Sequence, residues 1–216
     1  MARPRGIADE QLLAAAQDLL YEVGPVAFTL EKAASRAGVS AATLIKRFGS
    51  KRKLLLALNR RWVASIGPGV AAATAGQKTA LGRLRAAALW GFEDLDSPAN
   101  ATTQLAALAL DFQDEQMREL LVAGWREMEG HLTRLAREAI AAGELSGHPP
   151  AEQVARILRA AADGASVEWS VAPVGSLMAR LEADIDAILA SWSATGPPRR
   201  SGTARFGRSA SWISTR

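Results

Sequence analysis

Within the 216-residue sequence, a set of donor side chains at helical spacing lies between Thr29 and Lys51. Thr29, Ser40, Thr43, Lys46, Arg47 and Lys51 stand there around three small or apolar positions, Ala41, Ala42 and Ile45. Hydroxyl, ammonium and guanidinium groups on a short helix suit anionic oxygens, and a helix N-terminus adds free backbone N–H groups. That is the chemistry of holding a polyanion. Groups for making and breaking bonds are scarce by comparison. There is no cysteine, so thiol chemistry is excluded, and the chain holds one tyrosine, Tyr21, and two histidines, His131 and His148. Glu127 and His131 share a helix face at i, i+4, a spacing a metal can use, but no third ligand accompanies them. No glycine-rich phosphate loop follows a strand, and Glu182, Asp184 and Asp186 read as solvent-facing. The expectation is no catalytic residue, no metal and no cofactor.

Charge is distributed unevenly. Residues 1–66 carry 11 Lys/Arg against 5 Asp/Glu, whereas residues 67–193 carry 10 against 17. Residues 194–216 hold 5 Arg and no acid. A basic head on an acidic body means that the head is the region suited to a polyanion. The Arg-rich tail adds sequence-independent attraction or is inert. No apolar run approaches the roughly 18 residues that span a bilayer, and Met1–Gly6 lacks a secretory apolar stretch. A cytoplasmic protein with no membrane partner is expected.

The positioning elements are helices. Ala, Leu, Glu and Arg dominate, β-branched residues are sparse, and the apolar spacing is helical almost throughout, so the fold class is all-α with about nine helices. A first helix is predicted over about Asp9–Val23, ended by Gly24-Pro25. A second is capped by Thr29, a third (Ala41 to about Phe48) by Ser40, and a fourth by Ser50. The fourth should stop at Gly67-Pro68-Gly69, the clearest break in this half, which places a domain boundary there: 1–66 as head, 67–193 as body, and 194–216 as a disordered Arg-rich tail. Longer helices follow at about Thr79–Leu95, Ala99–Phe112, Glu115–Ala142, Ala151–Val171 and Ser176–Ser193.

Two short helices joined by Gly38-Val39-Ser40 satisfy a helix-turn-helix. Glycine permits the positive φ of the sharp turn, Val39 fills the angle and Ser40 caps the next helix. The second helix of such a pair enters the major groove N-terminus first. Its outward face offers Ala41, Ala42, Ile45, Lys46 and Arg47, while Leu44 and Phe48 turn inward.

The stretch Thr29–Lys51, with Ala33-Ala34, Ala37-Gly38-Val39-Ser40, Thr43-Leu44 and Phe48, resembles the DNA-binding signature of the tetracycline-repressor (TetR) family. Ala14–Leu20 and Lys53-Leu54-Leu55 fit as well, so the match covers about residues 9–60. The resemblance implies that Thr43 and Lys51 contact phosphates and that Ala41 and Ala42 face bases, where alanines touch only thymine methyl groups. Ile45 stands where the family prefers tyrosine, and Arg47 where histidine or an aromatic is common. Arg3 and Arg5 read either as a minor-groove arm or as solvated charges.

What the resemblance implies for the body is a small-molecule effector pocket and a homodimer on a palindromic operator of double-stranded DNA, with repression relieved by an apolar or amphipathic effector. Trp90, Phe92, Phe112, Trp125, Met128 and His131 are the candidate lining. The apolar stripes Val154, Ile157, Leu158, Ala161, Ala165, Trp169 and Leu177, Leu181, Ile185, Ile188, Trp192 are the candidate four-helix interface. The alternatives are stripes that cover the chain's own core, and a dimeric regulator with no effector. An enzyme is the rival class.

Overall fold

The computed structural model describes residues 8–193. The Arg3/Arg5 arm and the Arg-rich tail lie outside the described residues. Among these, nine α-helices form the molecule: α1 (Asp9–Ala27), α2 (Leu30–Arg36), α3 (Ala41–Phe48), α4 (Lys51–Thr74), α5 (Ala80–Leu89), α6 (Pro98–Asp111), α7 (Glu115–Ala141), α8 (Ala151–Val171) and α9 (Leu177–Ala190). A single 3-10 turn, Glu93–Leu95, lies between α5 and α6. None of the described residues forms a strand; Leu145 and Ser193 make one isolated bridge. No described helix is long and apolar enough to cross a membrane.

Capping chemistry sets the starts of the head helices. The side chains of Thr29, Ser40 and Ser50 accept from the backbone N–H groups of Lys32, Thr43 and Lys53 respectively, each at 3.2 Å. Each cap satisfies a donor that the helix geometry leaves without a partner. α1 breaks at Gly24, whose φ of 72° lies in the left-handed region, and a last turn with Pro25 continues to Ala27. Leu12, Ala16, Leu19 and Leu20 of α1 then bury against Phe28, Ala33, Ala34, Leu44, Leu54 and Leu58, making a core that belongs to the head.

Two expected boundaries differ. The helix expected over Thr79–Leu95 ends at Leu89, because Gly91 takes φ 91° and turns the chain into the 3-10 segment. α4 does not stop at Gly67-Pro68-Gly69; it runs through to Thr74. Ile66 and Val70 flank the triplet and are fully buried against α5 and α7, so packing carries the helix past a sequence that disfavours it.

The body has its own core, built from α4's second half and α5–α9. Here the two apolar stripes find their place. Val154, Leu158, Ala165 and Trp169 of α8 are buried within one protomer, as are Leu177, Leu181 and Ile185 of α9 and Trp192 after it. These buried members therefore cannot be the surface offered to a second copy, while Ile157, Ala161 and Ile188 of the same stripes are half-buried. The outward sides of these helices carry small residues instead: Ala160, Gly164, Val167 and Val171 on α8, and Ala179, Ala183, Ala187 and Ala190 on α9, all exposed.

Candidate nucleic-acid interface and internal cavity

The turn between α2 and α3 is closed by two backbone hydrogen bonds, Gly38 N–H to Ser35 O at 3.1 Å and Val39 N–H to Ala34 O at 2.9 Å. Gly38 sits at φ 67° and Val39 packs on the head core. This holds α3 with Leu44 inward at 0% exposure and Ile45 outward at 48%. Ser40, Ala42, Lys46 and Arg47 are exposed along the same edge, and Thr43 is half-buried with its hydroxyl 2.9 Å from that of Ser40. Ala41 is half-buried against the head core, which leaves Ala42 as the more prominent of the two alanines.

Besides Ser40 and Thr43, three more of the sequence-selected residues are already engaged. The Arg47 guanidinium meets the Asp9 carboxylate at 2.6 Å, tying α3 to the start of α1. Thr29 spends its hydroxyl on the α2 cap. Lys51 turns back into the head: its Nζ donates to the Pro25 carbonyl at 2.8 Å and lies 5.8 Å from the centre of the Phe28 ring. A phosphate contact from Lys51 therefore requires it to change partners.

Between head and body lies a cavity of about 380 Å³. Its walls come from both. α1 contributes Gln17, Leu20 and Tyr21, and α4 contributes Leu55, Leu58, Asn59 and Trp62. α6 contributes Gln104 and Asp111, α7 contributes Leu121 and Leu132, and α8 contributes Arg159, Asp163 and Ser166. Of the sequence-selected lining, Trp90, Phe92, Phe112, Trp125 and Met128 all reach it. His131 does not; it faces α4, with a Cβ on Gly67 falling 3.7 Å from its Nε2, and lies 3.9 Å from Glu127. Among the described residues no group of three His, Cys, Asp or Glu is placed to hold a metal.

The walls are aromatic with a few charges. Phe112 and Trp125 meet edge-on, centroids 6.3 Å apart at 65°, and the Arg159 guanidinium lies 5.4 Å over the Trp125 ring. Arg159 also pairs with Asp163 at 3.2 Å and Glu129 at 3.9 Å. Burial pushes the Asp163 carboxyl up while Arg159 pulls it down. Burial likewise raises Asp111, against a hydrogen bond from the Asn59 amide at 3.2 Å, and Asp114 adds to the rise. Burial raises the Tyr21 phenol, with Asp94 acting in the same direction. The polar members were missed from sequence, although Asp111 left a signal. It is the last residue of α6, where an acid opposes the helix dipole, so its presence there wants another reason.

Two polar links tie α4 to the body. Asn59 reaches Asp111, and Arg52 grips Asp114 through Nε at 2.5 Å and Nη2 at 2.9 Å while touching Gln116 at 3.1 Å. Asp114 meanwhile caps α7, accepting from the N–H groups of Gln116 and Met117. Its carboxyl is held below the usual value chiefly by the Arg52 hydrogen bond. A carboxyl lowered by folding stabilises the fold above its unfolded pKa, and loses that contribution as pH falls through the lowered one. Arg52→Ala should therefore raise the Asp114 pKa seen by NMR titration and flatten the acid side of the stability profile. An unchanged Asp114 titration would show that the grip does not persist in solution.

Two families match the chain. The description "Bacterial regulatory proteins, tetR family" matches residues 12–58, and "BetI-type transcriptional repressor, C-terminal" matches residues 80–193. No curated protein matches it. Solved structures share its fold at low identity. A transcriptional regulator from Saccharomonospora viridis in complex with choline has a TM-score of 0.71 at 20% identity, covering 83% of this chain and 94% of that one. A TetR regulator from Haloarcula marismortui has a TM-score of 0.70 at 19% identity, covering 85% and 97%. The reduced form of E. coli NemR has a TM-score of 0.68 at 19% identity, covering 87% and 98%.

Proposed function

The chain belongs to the tetR family of bacterial regulatory proteins and is a DNA-binding transcriptional regulator; from that premise we propose a cytoplasmic homodimeric repressor that leaves a palindromic operator when a small molecule fills its cavity. One observation carries the proposal: the cavity is walled partly by α1 and α4, helices of the head itself. A molecule that fits the cavity best when these helices are displaced favours a different setting of α3. It lowers DNA affinity by the ratio of its affinities for the two states. The choline held by the Saccharomonospora regulator supports a small organic occupant. No residue has a catalytic role in this reading.

On DNA, α3 lies in the major groove with Ser40, Ala42, Thr43, Ile45 and Lys46 at its leading edge, and Ala41 behind them. Alanines there accept close approach and thymine methyl groups rather than hydrogen-bonding a base. Arg47, Lys51 and Thr29 sit towards the phosphates at either side. The head, 1–66, and the body, 67–193, share α4. Two protomers meet along the small-residue faces of α8 and α9, which allow close helix approach.

Selection of bound duplexes from random DNA tests the reading. The expected product is a palindrome whose half-sites are about 34–36 Å apart. Recovery of asymmetric sites, or of no preferred sequence, would sink the dimeric operator. Compounds that bind the protein and shift its thermal stability without changing operator affinity would remove the effector from the proposal.

A further inference from the structure

The hydrogen-bonding groups around the outward face of α3 are mostly engaged within the head. The Ser40 hydroxyl accepts from the Thr43 N–H at 3.2 Å and lies 2.9 Å from the Thr43 hydroxyl. Arginine is the side chain that most often reads guanine, yet the Arg47 guanidinium is drawn across to α1, 2.6 Å from the Asp9 carboxylate. Arg36, the last residue of α2, is likewise held by Glu22. Lys46 is exposed, but its ammonium is a point charge on a flexible stem, which serves phosphates as readily as bases.

What stands outward between these groups is hydrocarbon. Ile45 is 48% exposed in the second turn of α3; among the head's described residues Val26, near the end of α1, is the other large apolar side chain so exposed. Ala42 and Ala41 precede Ile45 by three and four residues, the spacing that sets side chains beside one another on a helix face. Helix formation does not ask for isoleucine there, since a β-branched side chain is a poorer helix former than leucine or alanine. The patch also lies in the basic part of the chain, where residues 1–66 carry 11 Lys/Arg against 5 Asp/Glu. A basic domain that presents hydrocarbon suits a polyanion with apolar groups on its surface. The major groove of duplex DNA offers one such group, the C5 methyl of thymine, and 5-methylcytosine carries the same group at the same ring position.

Resting on the reading of α3 as the helix that enters the major groove, we infer that Ile45, flanked by Ala42, determines specificity by touching C5 methyl groups of pyrimidines. The operator then carries thymine beneath the second turn of α3, and 5-methylcytosine substitutes for it where plain cytosine does not. Ala42 lets the backbone approach closely enough for that contact, with Arg47 kept to the side by Asp9.

Base-analogue versions of the duplex selected from random DNA test this on the full chain, at one fixed salt concentration because phosphate contacts dominate total affinity. Each invariant thymine of the half-site is replaced in turn, in both half-sites, by uracil, cytosine or 5-methylcytosine with the matching partner base. Uracil at one or more of these positions should weaken binding about fifteenfold, about fourfold for each methyl group that leaves an apolar contact. At the same position 5-methylcytosine should bind better than cytosine by a similar ratio. In Ile45→Ala the preference for thymine over uracil should fall below about twofold, whereas Lys46→Ala should weaken both duplexes alike. Ile45 is exposed, so its truncation leaves the head core intact. Equal binding of the thymine and uracil duplexes by the unaltered protein overturns the inference without any variant, and so does a selected half-site that contains no thymine. A uracil penalty that persists undiminished in Ile45→Ala overturns it too, because the penalty then belongs to duplex shape rather than to a methyl contact. Failure of the underlying reading looks different. If Ile45→Ala and Ala42→Gln both select the parent's operator with unchanged affinity, α3 is not the reading helix. If they change the selected sequence while uracil costs nothing, α3 stays in the groove and the methyl contact alone falls.

Discussion

A Gly164→Arg protein is expected to sediment as a monomer and to bind its palindrome about 10²- to 10⁴-fold more weakly, the span usually lost when two linked contacts become one. The position is chosen for what surrounds it. A Cβ built on Gly164 meets nothing within 4 Å, so a side chain there is accommodated by the protomer itself. Ala160, Val167 and Val171 continue the same face at i, i+4, i+7 and i+11 spacing, with Val167 43% and Val171 80% exposed. Small side chains on both helices let backbones approach to the 8–10 Å typical of packed pairs, and two arginines brought together there by symmetry would repel. Ile185→Asp provides the contrast. Ile185 is 0% exposed in the body core, and a carboxylate placed there, without a counter-charge, should unfold the protomer itself rather than separate it from its mate. A Gly164→Arg protein that remains dimeric would move the interface off the outward face of α8.

The sequence reading of the interface went astray for a physical reason. A broad apolar stripe on a helix shows only that something covers it, not whether the cover belongs to the same chain. Val154, Leu158, Leu181 and Ile185 are covered by their own protomer, and the Ala and Gly positions of the proposed dimer face carry almost no hydrophobic signal in a sequence. Local chemistry was far more legible. Thr29, Ser40 and Ser50 each cap a helix, and Gly38 takes the positive φ that its turn demands, because these roles are settled within three or four residues. Trp90, Phe92, Phe112, Trp125 and Met128 could be selected by following the family resemblance to the body's aromatic positions, which left out Tyr21 and Trp62 of the head helices. The cavity's polar half could not: Asn59, Asp111, Arg159 and Asp163 come from three helices far apart in sequence, and only their meeting gives them meaning.

Gly67-Pro68-Gly69 was the plainest misreading, and it yields the second large effect. Both glycines read as helix breakers, yet within α4 they differ. At Gly67 a Cβ would sit 3.4 Å from a Glu127 oxygen and 3.7 Å from His131 Nε2, an ordinary contact. Gly67→Ala should therefore meet no tertiary clash, and its gain in helix propensity is offset by the Pro68 ring, which crowds a Cβ on the helical residue before it. At Gly69 a Cβ would stand 2.2 to 2.5 Å from three atoms of the Trp90 indole, a distance no side chain tolerates. Gly69→Ala gains the same propensity but must displace a ring that ends α5 and lines the cavity, at a cost of about 1–3 kcal/mol for such overpacking. The two single-methyl variants should thus differ in urea midpoint, with Gly69→Ala the lower. The displaced indole has the cavity as its nearest free space, so Gly69→Ala should also weaken any cavity ligand while Gly67→Ala leaves it unaffected. If both alanines shift the midpoint equally, Trp90 is not seated on α4, and the glycine serves the backbone alone.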